Sequence, residues 1–253
     1  RRSNDRPMFV CLWTYNPHYP FEAPEDLVKK YKGREGRGLK NAVYGGQIEA
    51  TDRAVGRVLD EVDRLGIADR TVVIFTSDNG GWDGATDNRP LRSGKGDLFE
   101  GGIRVPLIIR WPGVTRAGSI VSDPVISMDL TATVLDAAGV KLADKEVLDG
   151  LTLKPLLAGQ EMQSRPLFFH YPHFAWHKSN RPGAAIRDGH HKLVVRFDDN
   201  SIELYDLAAD IGERHNLAKE KPVLGNMLRT RLDAWLARTG ARRPTPRKGN
   251  PRR

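Results

Sequence analysis

A single cysteine, Cys11, stands in the 253 residues. That excludes an internal disulfide framework and any metal site built on thiolates. Cys11 lies in an apolar, strand-like run, where a free thiol is expected to be inert packing. No apolar run approaches the roughly 20 residues of a membrane span, and the first residues carry neither an initiator methionine nor a signal-peptide pattern. The strand-like Met8-Phe9-Val10-Cys11-Leu12-Trp13 follows so soon that the chain is expected to begin in mid-fold. Acid is missing from residues 241–253, which hold six of the 40 basic side chains. Without them 34 basic side chains face 32 acidic ones, so six of the eight net positive charges belong to the tail and the body is close to balance. Residues 241–253 read as a basic, disordered end, and the body has no specific nucleic-acid partner by charge.

What is present is ordinary globular material, 39% hydrophobic and 28% charged, long enough for one large domain or a domain with a smaller companion. Thr71-Val72-Val73-Ile74-Phe75-Thr76 reads as a buried strand, and Leu107-Ile108-Ile109-Arg110-Trp111 as another. Between them runs a polar loop containing Ser77-Asp78-Asn79-Gly80-Gly81, Gly94-Lys95-Gly96 and Phe99-Glu100-Gly101-Gly102-Ile103-Arg104. Pro24 opens a short helix to about Tyr31. From Asn41 to Leu65 apolar residues recur in steps of three and four, and Gly66 is placed to end that helix. Strand, helix and strand predict a βαβ unit with parallel pairing. Ligands gather beyond the carboxyl ends of such strands, so His18 and the pair Asp78-Asn79 are expected at one edge. Met128 to Ala138 predicts a helix capped by Ser127 or Asp129 and ended by Gly139. Beyond residue 165, short strands near 167–169, 184–187, 192–195 and 203–205 and a helix near 221–240 predict a small antiparallel sheet with a covering helix.

Asp78 and Asn79 offer one anionic and one neutral oxygen, a mixture suited to Ca²⁺ or Mg²⁺ rather than zinc. Lys95, between two glycines, suits a tetrahedral oxyanion such as sulfate or phosphate. His18 suits contact with that oxyanion or protonation of a leaving group.

The ordered set Pro17-His18-Tyr19-Pro20, Phe75 to Gly81, Gly94-Lys95-Gly96, Phe99 to Pro106 and Glu203-Leu204-Tyr205-Asp206-Leu207 resembles the second half of a type I, formylglycine-dependent sulfatase. The resemblance covers all but the basic tail. It implies an α/β fold like alkaline phosphatase, with a partial parallel sheet in residues 1–140, a connecting loop at 141–164 and a smaller α+β domain of antiparallel sheet and helix at 165–240. It implies calcium at Asp78 and Asn79, sulfate binding at Lys95, and sulfate contact or leaving-group protonation at His18. In such sulfatases the C-terminal domain leans over the cleft, which makes His173 and His177 candidates for contact with a sulfated carbohydrate. Glu100 and Arg104 fall in the motif and read as an ion pair fixing the loop.

The departures are equally specific. Cys11 is followed by Leu12, Trp13, Thr14 and Tyr15, so it does not match the Cys/Ser-x-Pro/Ala-x-Arg that becomes formylglycine. The family's early aspartates, lysine and histidine find no counterparts. The expectation is a C-terminal sulfatase portion carrying half a site, inactive and poorly soluble by itself, from an intact enzyme of the periplasm or extracellular space. The alternatives are another alkaline-phosphatase-like hydrolase, acting on phosphodiesters or phosphonates, and a non-catalytic truncated product.

Overall fold

The structure, a computed structural model, describes residues 7–36, 38–143, 147–174 and 180–245. The chain divides into two compact units. One comprises residues up to Thr76 together with Leu107–Met162, and the other Ser77–Pro106 with the chain from Gln163 onward.

In the first unit, helix α1 (Glu25–Tyr31) packs on the long helix α2 (Ala42–Arg64). The Asn41 carboxamide accepts from Val43 N at 2.8 Å and Tyr44 N at 3.3 Å, satisfying amides that a helix start leaves open. Gly66, at φ +64°, lies just past the C-terminal end. Strand β1 (Val73–Thr76) pairs antiparallel with β2 (Leu107–Arg110), Ile74 opposite Ile109 and Phe75 opposite Ile108. The strand expected at Met8–Trp13 is not formed. Residues 7–15 carry no ladder among the described residues, and Phe9 and Trp13 are 73% and 92% exposed. An apolar, β-prone run becomes a strand only where a neighbour completes its backbone bonds. The βαβ unit is therefore not closed within the described chain, and the pairing that β1 makes is antiparallel. Ile48, Val58 and Leu65 are likewise exposed, so the apolar face of α2 is only partly used, and Ile108 on β2 is exposed as well.

Helix α4 (Met128–Ala137) is anchored by Asp129 rather than Ser127. The buried Asp129 carboxylate accepts from Ile126 N and Leu151 N, both at 2.9 Å. Thr133 Oγ1 donates to Asp129 O and accepts from Leu153 N at 2.9 Å, fixing the approach to the short helix α5 (Lys154–Leu157) inside the stretch expected as loop.

The second unit holds a four-stranded antiparallel meander, β3 (Leu167–Tyr171), β4 (Gly183–Asp188), β5 (His191–Arg196) and β6 (Ile202–Asp206), in that spatial order. Helix α6 (Pro222–Arg238) covers one face: Leu228, Leu232 and Leu236 pack on Ala184, Ile186, Leu193, Val195 and Leu204. The residues between these on β4 to β6, Ala185, Val194 and Tyr205, point to the opposite face and pack on Leu98 and Phe99. Both faces of the sheet are thus covered, one by a helix and one by the loop that follows Ser77. Leu232 is fully buried in the first of these clusters. Leu232→Ala is expected to cost about 2–5 kcal/mol in denaturant unfolding of the full chain.

Candidate active-site loop

The loop of residues 77–106 is held by backbone contacts that bring its two motifs together. After Thr76 the chain turns, with Ser77 Oγ donating to Asn79 O at 3.0 Å and Asn79 N donating to Asp78 Oδ1 at 3.0 Å. Asn79 Nδ2 is committed to Gly80 O at 2.9 Å, so its Oδ1 is the atom left for a ligand. Gly80 N donates to Gly102 O at 2.9 Å. A Cβ at Gly80 would stand 1.8 Å from Gly101 O, so this crossing admits only glycine. Lys95 N donates to Gly81 O at 3.0 Å, placing the lysine's backbone two residues from Asn79 in the fold. The Lys95 side chain is half-buried and meets no carboxylate among the described residues.

The same loop is clamped to the sheet by buried charge. Lys192, on β5, is fully buried with its ammonium 3.0 Å from Glu100 Oε1 and 2.9 Å from Glu213 Oε1. Glu213 Oε2 accepts from Glu100 N at 2.6 Å, at the start of the single turn α3 (Glu100–Ile103). Arg104 and Arg187 approach Glu100 Oε2 at 3.7 and 3.6 Å, which makes Glu100 and Arg104 the loop-fixing pair expected of them. Burial pushes the Glu213 carboxyl up from its ordinary value, and the Lys192 ammonium beside it opposes that rise.

A second clamp lies alongside. Asp97 accepts from Arg196 Nη2 at 3.0 Å and from Ser93 Oγ at 3.0 Å. Arg92 Nη1 donates to Tyr205 Oη at 2.6 Å and Glu213 O at 3.0 Å, and the Tyr205 hydroxyl donates to Glu203 at 2.5 Å. Burial, then the Glu203 carboxylate, pushes the Tyr205 hydroxyl up. The Phe99 ring carries the Arg92 guanidinium 3.7 Å from its centroid and that of Arg196 at 4.7 Å, both cation–π distances.

Asp78, Asn79 and Lys95 therefore share one unit and one loop. Asp78 is exposed, and with Asn79 it fits a hard cation in kind; in number the pair is a partial set, since no group of three or more His, Cys, Asp or Glu side chains suited to a metal occurs among the described residues. His18 belongs to the other unit. There it is exposed, with Nδ1 2.6 Å from Tyr19 O, and the buried Gln47 of α2 reaches His18 O at 3.3 Å. His173 is exposed in the second unit, edge-on to Tyr171 at 5.6 Å, and His177 lies outside the described residues. Sequence reasoning missed Lys192, Arg196, Asp97 and Glu213. A signal existed for two of them: Lys192 and Arg196 share the strand parity of Val194, and so point to a face that is buried.

Comparison with known proteins places the chain in a family. The sulfatase family profile matches residues 1–140, and the C-terminal profile of N-sulphoglucosamine sulphohydrolase matches residues 94–238. A sulfatase of Formosa agariphila is 35% identical over 95% of this chain and 48% of its own length. The crystal structure of Ps i-CgsB in complex with k-i-k-neocarrahexaose superimposes with a TM-score of 0.75 at 29% identity, over 87% of this chain and 48% of that one. The structure of BT4656 with its substrate D-glucosamine-2-N,6-O-disulfate gives 0.65 at 26%, over 84% and 45%. The fold is that of the alkaline-phosphatase-like hydrolases. The chain belongs to the sulfatase family, hydrolases of sulfate esters, in its formylglycine-dependent branch. It spans about half the length of the relatives it matches. No helix among the described residues is long and apolar enough to cross a membrane.

Removing Lys192 leaves two buried carboxylates facing each other. Lys192→Ala is expected to lose about 3–5 kcal/mol at neutral pH. Without the cation the Glu213 carboxyl is pushed up further, so the folded state favours its protonated form. The deficit is then smallest below the ordinary glutamate range and grows as pH rises above it. Denaturant unfolding of wild type and variant across pH 4–8 measures this; a deficit independent of pH would show that the carboxylates do not depend on Lys192.

Proposed function

We propose that this chain carries part of the active site of a sulfuric ester hydrolase and is inactive alone. In this reading Asp78 and Asn79 are two ligands of a Ca²⁺ ion, with Mg²⁺ the alternative, and Lys95 binds a sulfate oxygen near the leaving group. His18 contacts the sulfate and protonates the leaving alkoxide. The observation that supports it is the bond from Lys95 N to Gly81 O, which brings the backbone of Lys95 within two residues of Asn79. When bound, such a cation supplies positive charge to the sulfate oxygens. The ammonium of Lys95 stabilises charge that develops as the S–O bond breaks, and His18 is the side chain assigned to give the departing oxygen its proton. Neither group replaces a nucleophile. Cys11 and its neighbours do not form the formylglycine sequence, so the chain alone offers no covalent route to sulfate transfer.

A sulfated carbohydrate is the substrate class favoured, supported by the disulfated glucosamine that BT4656 takes as substrate. His173 and His177 are the side chains assigned to the sugar, and a periplasmic or extracellular setting for the intact enzyme belongs to the same reading.

Two measurements test it. The purified chain is expected to hydrolyse an aryl sulfate no faster than its Lys95→Ala variant; a clear excess would overturn the assignment of a partial site. Calorimetric titration with Ca²⁺ is expected to show weak binding, about 10⁻⁴–10⁻³ M, abolished by Asp78→Ala with Asn79→Ala. Binding that survives the double substitution would remove the pair from the metal site.

A further inference from the structure

Between the two motifs of the loop stands a carboxamide without a role so far. Asn88 Nδ2 lies 2.8 Å from Gly81 O, 2.9 Å from Asp83 Oδ1 and 3.1 Å from Ser93 O. Gly81 O is the carbonyl that also accepts from Lys95 N, so one oxygen spends both lone pairs on this crossing. The packing leaves no slack. A Cβ at Gly94 would stand 2.3 Å from Gly81 O and 2.6 Å from Asn88 Nδ2, and one at Gly81 would stand 2.7 Å from Asn88 Oδ1. Asn88 therefore touches both arms of the loop: Gly81, two residues beyond Asn79, and Ser93, two residues before Lys95.

The structure assigns Asn88 the part of a positioning residue, which sets the separation between the Asp78–Asn79 pair and Lys95 and so the way one tetrahedral sulfate is shared between them. This deepens the proposed function and rests on its reading of Asn79 and Lys95 as one site. The chemistry requires a carboxamide. Both arms present carbonyl oxygens, so the group joining them must donate twice from one nitrogen. An aspartate of the same shape would set a carboxylate against two carbonyls and against Asp83. A serine would keep a single donor and add no charge.

The experiment compares the full chain with Asn88→Asp and Asn88→Ser, using amide hydrogen exchange resolved by residue and titration with inorganic sulfate followed at the Lys95 amide. In Asn88→Asp the Lys95 amide is expected to exchange at least tenfold faster, with β4 and β5 amides unchanged, and Asn88→Ser is expected to fall between. Apparent sulfate affinity is expected to drop several-fold in Asn88→Asp and to recover in part in the neutral Asn88→Ser. If Lys95 exchange stays at the wild-type rate in both variants, the positioning role is overturned, whatever sulfate does. If exchange quickens while the wild-type chain ignores sulfate, Asn88 holds the loop as stated and it is the sulfate role of Lys95 that fails. Should Asn88→Asp unfold the sheet, Asn88→Ser decides: faster exchange at Lys95 alone supports the role, and no change refutes it.

Discussion

The second unit depends on one buried ammonium. Lys192 holds Glu100 and Glu213 on the face of the sheet opposite α6, and Glu213 in turn binds the amide of Glu100. Such a cluster is a poor source of net stability, because desolvating three charges offsets most of their attraction. Its consequence here is selective. A hydrophobic patch accepts any loop of the right volume, whereas two carboxylates meeting one ammonium, with a backbone amide on the second oxygen, accept the turn at Phe99–Ile103 in a single register. Phe99 and Leu98 then fill the space beside Ala185, Val194 and Tyr205.

From that turn the constraint passes to the chemistry through backbone alone. Gly102 O receives Gly80 N, Gly81 O receives Lys95 N, and Asn79 and Lys95 lie within two residues of those bonds. The C-terminal sheet is therefore part of how the backbone at Asp78, Asn79 and Lys95 is placed. This accounts for a sulfatase-family chain whose loop of residues 77–106 belongs structurally with the sheet after residue 163 rather than with β1 and β2, which flank it in sequence.

Legibility in the sequence followed the range of the forces. Helix α2 was readable because its periodicity and its terminal glycine are local, and the meander of β3 to β6 because short hairpins set their own pairing. The stretch Met8–Trp13 was misread for the converse reason. Its composition is that of a strand, and composition cannot supply the neighbour a strand needs. The parallel arrangement inferred from it gave way to the antiparallel pairing of β1 with β2. Asp78, Asn79 and Lys95 could be picked out as residue types suited to a cation and an oxyanion, and the ion pair of Glu100 with Arg104 was expected from their place in the motif that carries the family resemblance.

By itself, then, the sequence determined the family, the local elements and the kinds of ligand the loop can offer, since each depends on residues near one another in the chain. Tertiary structure alone decided that Lys192, nearly a hundred residues after Glu100, is the cation beneath the turn. It also decided that Arg92 and Arg196 both lie over the Phe99 ring, and that Asn88 ties the two arms of the loop. A lysine in a strand reads as a solvated charge until the face it points to is known to be covered. Which face is covered is a property of contacts distant in sequence, and no periodicity records them.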